Sequence, residues 1–400
     1  MTFAEKLERY AELAVKAGLD LQPGQELMIE AQLEAAPFVR RVAAQAWQAG
    51  AKDVTVYWAD EDLTRMRYLN GRPELFSQCP DWRALQLNGL AERGGAFLSI
   101  RSGDPAALAG VDPARVAAAG KASHAACAPF YDGMHENKVP WCIVGVPSPR
   151  WAKAVFPSLP EDEAMAQLWE AIFKTVRADT PDPVAAWRRH KESFAARIQW
   201  LNSHAFAQLH YHNGRGTDIT IGLPEGVTWG GGGGELADGR WWFPNMPTEE
   251  IFTAPHRDKA DGTVHSSMPL NHQGSLIDDF WLTFKDGRVT DFGAAKGYDA
   301  LKAILDTDEG ARHLGECALV PVSSPISRLG ILFYNTLYDE NASCHFAVGR
   351  AATADGRPVE GLNDSATHVD FMLGTDDLSI DGITADGTAV PVFRGGEWAF

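Results

Sequence analysis

The first half of the chain alternates helical and strand-like hydrophobic patterns. An apolar stripe with helical spacing follows Thr2 and Glu5, which fit a capping box, and Gly18 would end that helix. Short apolar runs predict strands at 26–31, 53–58, 96–100 and 141–146, with helices near 35–49, 80–92, 113–122 and 161–177. This alternation predicts an N-terminal α/β domain with a mostly parallel sheet between helices.

The pattern changes near residue 180. A proline-rich break precedes a long helical stretch at 184–203, and hairpin signals dominate beyond it. Asp286-Gly287 and Asp386-Gly387 each lie between strand-like runs, which is a strong hairpin signal. We therefore predict an α+β, largely antiparallel C-terminal domain, with domain limits of 1–183 and 184–400. The glycine run at 230–234 lacks a following Lys-Ser/Thr, so it is not a phosphate loop. A flexible surface loop is the favoured interpretation, and a loop that approaches the substrate is the alternative.

Composition and charge narrow the class of protein. The 400 residues are too many for one compact core, and 45% hydrophobic residues is ordinary for a globular protein. The 36 basic and 53 acidic residues give a net charge of −17, which argues against nucleic-acid and anionic-membrane partners. The charged N-terminus lacks the apolar core of a signal peptide, so we expect a cytoplasmic protein.

The five cysteines are scattered and contain no CxxC pair, so the sequence indicates neither a disulfide framework nor a cysteine zinc site. Cys317 and Cys344 each adjoin a candidate ligand. On a strand they would point to the opposite face, which predicts small core residues. No glycine-rich phosphate motif occurs in the first half, which disfavours a nucleotide site there.

Acids and histidines in strand-like apolar runs are the main candidates for chemistry. Acids are rarely buried unless they are paired or bind metal. Four carboxylates and two imidazoles are typical of two neighbouring divalent ions with open positions for water and substrate. The six candidates lie in the last 150 or so residues: Glu250, Glu316, Glu340, His345, His368 and Asp370.

Strand alternation predicts which candidates point together. His368 and Asp370 would share one face of an otherwise apolar strand, although a hydrogen-bonded structural pair fits equally well. His345 would share its face with Ala347 and Gly349, whose small size leaves room for a guest. Two choices stay open on residues alone, namely Asp339 or Glu340, and Glu249 or Glu250.

Four ordered sequence blocks resemble a known family. They are Asn-Met-Pro-Thr-Glu-Glu-Ile-Phe-Thr-Ala-Pro at 245–255, Leu-Gly-Glu at 314–316, the block at 335–345, and Asn-Asp-Ser-Ala-Thr-His-Val-Asp-Phe-Met at 363–372. Together they are similar to the thermophilic aminopeptidase family, the dinuclear metallo-aminopeptidases of the aminopeptidase T, aminopeptidase S and PepS type. The resemblance extends over nearly the whole chain.

The resemblance implies an activity, a cofactor and a partner. It implies a homodimer that releases N-terminal residues from peptides with a free N-terminus, using two divalent ions of the zinc, cobalt or manganese type. A water bridging the two ions would be the nucleophile, and Asp370 would be shared by both ions. The family's ligand positions fall on Glu250, Glu316, Glu340, His345, His368 and Asp370, which favours Glu250 over Glu249. Glu249 remains a candidate proton acceptor.

One departure from the family pattern keeps alternatives open. Family members usually carry a tyrosine seven residues after the histidine of the third block, and Ala352 stands there in this chain. The segment at 352–363 is also shortened. A metal-binding protein with decayed catalysis is therefore one alternative. Another is a mononuclear non-haem iron, ring-cleaving dioxygenase-like enzyme, because His345, His368 and Asp370 alone would form a two-histidine, one-carboxylate triad.

Overall fold

The structure is a computed structural model that describes residues 1–272 and 275–400. The chain divides into two compact units. The first comprises Met1–Arg189 and Gly233–Pro247, and the second comprises His190–Gly232 and Thr248–Phe400. The domain limit between residues 183 and 184 stays a prediction.

The capping box predicted at the start of the first helix is confirmed. The Glu5 N–H donates to Thr2 Oγ1 at 3.3 Å, and the Thr2 N–H donates to Glu5 Oε2 at 2.7 Å. The helices are α1 Phe3–Leu13, α2 Ala36–Gln48, α3 Glu61–Asn70, α4 Asp81–Glu92, α5 Pro113–Ala126, α6 Ala128–His135, α7 Pro149–Val155, α8 Glu161–Thr175, α9 Pro183–His204, α10 Tyr298–Leu305 and α11 Thr336–Asp339. Short 3₁₀ turns include Glu340–Ala342. Within the described residues, no helix is both long and apolar enough to cross a membrane.

The strands are short in most of the chain and longest in one hairpin. They are β1 Glu26–Gln32, β2 Asp53–Ala59, β3 Ala96–Arg101, β4 Trp141–Gly145, β5 Gln208–His212, β6 Asp218–Gly222, β7 Gly230–Gly231, β8 Gly234–Glu235, β9 Trp241–Trp242, β10 Asn245–Met246, β11 Ile251–Thr253, β12 Ala260–His265, β13 Leu270–His272, β14 Ser275–Lys285, β15 Arg288–Lys296, β16 Leu314–Leu319, β17 His345–Gly349, β18 His368–Met372, β19 Ser379–Ile383, β20 Ala389–Arg394 and β21 Glu397–Trp398.

The first unit contains the predicted parallel sheet. Its strand order is β10-β4-β3-β1-β2, and every pairing is parallel. The strands are rich in buried residues such as Ile29, Leu98 and Val144, as expected when helices cover both faces. The sequence did not predict β10, because two residues are too few to show a hydrophobic period.

The second unit contains a large antiparallel sheet, as predicted. The order is β13-β14-β12-β6-β5-β19-β20-β21, with β15 paired to β14. Asp286 and Gly287, with φ of 49° and 79°, turn β14 into β15. Only residues that tolerate positive φ fit such a turn, so the Asp-Gly signal identified this hairpin correctly.

A smaller antiparallel sheet of the second unit has the order β18-β17-β16-β11-β7. One of its faces packs on the large sheet. The ring centroids of Phe346 and Tyr211 lie 4.9 Å apart, and those of Phe371 and Phe280 lie 5.7 Å apart. Because side chains alternate along strands, the neighbours of these aromatic residues point to the other face. That other face carries the candidate ligands.

Candidate metal centre

The register of three adjacent strands places the predicted ligands on one face. Glu316 on β16 is opposite Ala347 on β17, which in turn is opposite Asp370 on β18. His345 is opposite Met372, and His368 is opposite Gly349, so both imidazoles start from the same face as the carboxylates. The intervening rows hold core residues, including the fully buried Cys317. The alternation of side chains along each strand therefore predicted correctly which residues share a face.

The ligand atoms form two groups that share one carboxylate. In the first, His345 Nε2 lies 3.1 Å from Glu250 Oε2 and 3.6 Å from Glu316 Oε1. In the second, His368 Nε2 lies 3.5 Å from Glu316 Oε2 and 3.2 Å from Asp370 Oδ1. Within each group the potential ligand atoms lie within 4.8 Å of one another. Glu316 thus offers one oxygen to each group.

Backbone carbonyls orient both imidazoles. His345 Nδ1 lies 3.0 Å from the Ser343 carbonyl, and His368 Nδ1 lies 2.7 Å from the Arg350 carbonyl. A carbonyl only accepts, so each Nδ1 carries the proton and donates it. Nε2 is then the ligating nitrogen, and each ring is held at the angle that points Nε2 toward the carboxylates.

Burial and neighbouring charges shift the pKa values of the site residues. Burial raises the pKa of Glu250, against the opposing effect of His345. Burial also opposes ionisation of Glu316, but hydrogen bonds from His345 and His368 outweigh it and lower the Glu316 pKa to about 2. For His368, burial is outweighed by hydrogen bonds to Asp370 and Glu316, which raise its pKa to about 11. The cluster favours positive charge at its centre.

The glycine run brings the backbone close to the Glu250 segment. The prediction of a flexible loop at 230–234 was wrong at both ends, because Gly230–Gly231 forms β7 and pairs with β11, and Gly234 begins β8 and pairs with β9. A Cβ on Gly231 would lie 2.2 Å from the Glu250 carbonyl oxygen, so no larger residue fits. The sequence signal was present, but a run of glycines alone does not say which backbone it approaches.

Within the described residues Glu340 belongs to neither group of ligand atoms, but its carboxylate interacts electrostatically with them. Its pKa is raised well above the usual value, first by burial and then by repulsion from Glu250 and Asp370. Asp339 was the alternative to Glu340 as a ligand. Its carboxylate instead accepts hydrogen bonds from two nearby backbone groups, the Phe333 N–H at 2.7 Å and the Asn335 N–H at 2.9 Å. Glu340 therefore interacts with the charges of the cluster, whereas Asp339 holds the backbone of the loop, and the role of Glu340 as a ligand stays a prediction.

Glu249 lies outside both ligand groups within the described residues. It is buried, and its Oε2 lies 3.5 Å from His190 Nε2 on α9. Its charge also acts on the half-buried Arg197 of the same helix. Ala352 is exposed, and the preceding residue Ala351 donates its N–H to the Asn363 carbonyl at 3.0 Å. The structure therefore places an exposed methyl group where the resemblance to the family leads us to expect a tyrosine.

Asn341 was not predicted from the sequence. It is fully buried next to Glu340, its Oδ1 accepts the Glu249 N–H at 2.6 Å, and its Nδ2 donates to Glu340 Oε1 at 3.3 Å. The only cue was that Asn341 directly follows a candidate ligand, and a single polar residue in a turn is more commonly a cap than a support.

The donor set fits divalent metal ions. Among the described residues, the ion pairs that Glu250, Glu316 and Asp370 make are to imidazoles rather than to lysine or arginine. Buried carboxylates need compensating charge, and two divalent ions would balance the four carboxylates of the cluster. Oxygen and imidazole ligands suit zinc, cobalt and manganese.

Comparisons with known proteins identify relatives over nearly the whole chain. A solved structure titled wild-type AmpT, from Thermus thermophilus, matches with a TM-score of 0.93 and 40% identity over 100% of both chains. Aminopeptidase 2 of Geobacillus stearothermophilus is 47% identical, covering 99% of this chain and 98% of its own. A 2,5-dihydroxypyridine dioxygenase from Pseudomonas putida KT2440 shares only the fold, at 14% identity and a TM-score of 0.50 over 99% of this chain and 97% of its own. The sequence model of the thermophilic metalloprotease (M29) family matches residues 3–398, and the chain belongs to that family.

Proposed function

We propose that this protein is an aminopeptidase that releases N-terminal residues from peptides through a dinuclear metal site. The observation that carries the proposal is the shared carboxylate of Glu316, with one oxygen directed to each group of ligands. A carboxylate used in this way is typical of two ions held about 3.5–4 Å apart. The aminopeptidase name of the Geobacillus relative supports the exopeptidase reaction.

The two ions would have distinct ligand sets. Glu250, Glu316 and His345 would hold one ion, and Glu316, His368 and Asp370 the other. Asp370 lies in the second group, and we propose, as the resemblance to the family implies, that it also contributes to the first ion. Glu340 would complete the set. When bound, divalent ions of the zinc, cobalt or manganese type would supply a bridging water of lowered pKa as nucleophile and polarise the scissile carbonyl.

The residues of the chain itself would then hold and orient the reactants. The backbone bonds to His345 and His368 fix the imidazoles, so the ligand cage needs little rearrangement during turnover. Ala347, fully buried between Glu316 and Asp370, keeps the centre of the face open. Glu249 as proton acceptor stays a prediction, and replacement of its carboxylate by an amide is the direct test.

The dioxygenase alternative needs His345, His368 and Asp370 to face a single iron. In the structure His345 Nε2 belongs to the group with Glu250, whereas His368 and Asp370 form the other group. This division supports the dinuclear hypothesis over the triad. The shared fold with a dioxygenase is no evidence for its reaction, because one fold supports many chemistries.

The deciding experiment combines metal analysis with a panel of aminoacyl amides and peptides. We expect two divalent ions per chain, cleavage of substrates with a free amine, and no cleavage of the same substrates after N-acetylation. Chelation should abolish cleavage, and zinc, cobalt or manganese should restore it. A single iron with ring cleavage would support the dioxygenase, and two ions without any cleavage would support decayed catalysis.

The oligomeric state and the cellular location of the protein can be tested separately from its activity. We propose a homodimer, which light scattering after size-exclusion chromatography would detect as twice the chain mass of 43.6 kDa. A monomer under the assay conditions would contradict it. A cytoplasmic location remains a prediction, to be tested by cell fractionation.

A further inference from the structure

Asn341 connects two segments that carry candidate ligands. Its Oδ1 accepts the backbone N–H of Glu249 at 2.6 Å, immediately before Glu250. Its Nδ2 donates to Glu340 Oε1 at 3.3 Å and to the Leu337 carbonyl at 3.0 Å. The two segments are 92 residues apart in the sequence, so this side chain provides a tertiary link between them.

Both N–H groups of the Asn341 side-chain amide donate hydrogen bonds. A carboxamide has two N–H donors, and the oxygens of Leu337 and Glu340 take both of them. The side chain is 0% exposed, so water does not replace these bonds easily. With Glu340 Oε1 engaged by a neutral donor, the rotation of that carboxylate is restricted without a competing charge.

The Glu250 segment is held from a second direction as well. His190 Nε2 lies 2.8 Å from the Thr248 carbonyl and donates to it, two residues before Glu250. Together with the Asn341 bond to the Glu249 N–H, this contact holds the Thr248–Glu249 peptide group, which precedes Glu250, from both sides. The relative position of Glu250 and Glu340 thus depends on Asn341.

We propose that Asn341 is a positioning residue that sets the metal affinity of the centre by holding the Glu340 carboxylate and the Glu250 segment at a fixed separation. The inference rests on the proposed dinuclear site and concerns a residue that is not itself a ligand. Outer partners of this kind typically change metal affinity or activity by about 10–100-fold when they are replaced.

The test compares three variants by metal binding rather than by peptide cleavage. Asn341→Asp keeps the shape and the acceptor for the Glu249 N–H but removes both donors. Asn341→Ala removes all three bonds. Asn213→Ala is the matched control, because Asn213 is also buried (4% exposed), accepts the N–H groups of Arg215 and Thr217, and donates to a backbone carbonyl.

Zinc affinity is measured by competition with a chelator, and the visible absorption spectrum of the cobalt-loaded protein reports ligand geometry. We expect both Asn341 variants to bind at least one zinc ion about 10–100-fold more weakly and to change the cobalt spectrum. Asn213→Ala should lower thermal stability but keep both wild-type properties. A purely structural role for Asn341 would produce the same result as the control.

The inference is overturned if folded Asn341→Asp binds both zinc ions with wild-type affinity and shows the wild-type cobalt spectrum. Circular dichroism of the metal-free proteins checks folding. If Asn341→Ala does not fold, Asn341→Asp decides, since it keeps the bond that anchors the backbone. A wild-type protein that binds no pair of ions would instead contradict the proposed function, and the inference with it.

Discussion

Glu316 lies 3.5 Å from His368, measured from Oε2 to Nε2, and its other oxygen faces His345 at 3.6 Å. This single carboxylate therefore joins the two groups of ligand atoms. The arrangement depends on β16 being the neighbour of β17, with Glu316 in register with Ala347. A ligand that belongs to both groups should be the hardest to replace.

We expect Glu316→Gln and Asp370→Asn each to lose both metal ions, because a shared carboxylate serves both sites. Glu340→Gln should preferentially lose one ion, since Glu340 is not a ligand shared by the two groups. Elemental analysis of dialysed protein gives the stoichiometry. Glu249→Gln is the matched control, an adjacent buried acid outside both groups, and it should keep two ions. Wild-type stoichiometry in Asp370→Asn would show that Asp370 does not bridge.

The small side chain of Ala347 is a second determinant of the site. Ala347→Leu should fill the space between Glu316 and Asp370 and prevent metal binding. Adding this volume should also destabilise the metal-free protein by roughly 1–3 kcal/mol. Val348→Leu adds volume to the opposite, core face of the same strand and should cost stability while keeping the metals. Thermal unfolding with and without zinc distinguishes them, and metal-dependent stabilisation of Ala347→Leu would contradict this role.

Much of the fold was predictable because its signals are local. Strand–helix alternation predicted the parallel sheet of the first unit, and the Asp286-Gly287 turn predicted the longest hairpin. The fold class is confirmed. Strand β10 was missed, because its two residues join β4 from about 100 positions later in the chain and leave no periodic pattern.

The candidate residues of the site could be predicted from the sequence, but the division of their ligand atoms into two groups could not. Period-two alternation placed His368 and Asp370 on one face, and the four sequence blocks predicted the family and its metallo-aminopeptidase class, both of which are confirmed. The roles of Glu316 and Asn341 depend on which strands are neighbours and on one long-range hydrogen bond. Neither relationship can be derived from spacing along the chain.

Metal binding should release protons. In the metal-free protein, carboxylate neighbours raise the pKa of both imidazoles against the effect of burial, that of His368 from 6.5 to about 11. Near pH 7 each Nε2 therefore carries a proton, which a metal ion must displace, so affinity should fall as the pH falls. Calorimetric titration with zinc in buffers of different protonation enthalpy measures the number released. His368→Ala should release about one proton fewer, and heats that do not depend on the buffer would contradict this prediction.

Ala352 stands where the resemblance to the family predicts a tyrosine. If the usual tyrosine donates a hydrogen bond to the developing oxyanion, its absence should slow the chemical step by about 10²–10³-fold, or roughly 2.7–4 kcal/mol, while sparing metal binding. Ala352 is exposed and follows a residue whose backbone is anchored to Asn363, so a larger side chain can be accommodated. Ala352→Tyr should raise kcat with little change in KM, since the gain is confined to the transition state. Ala352→Phe is the control, because it adds the ring without the hydroxyl and should leave kcat unchanged. A folded Ala352→Tyr that binds two ions and has the wild-type kcat would show that this position does not contribute to the reaction in this chain.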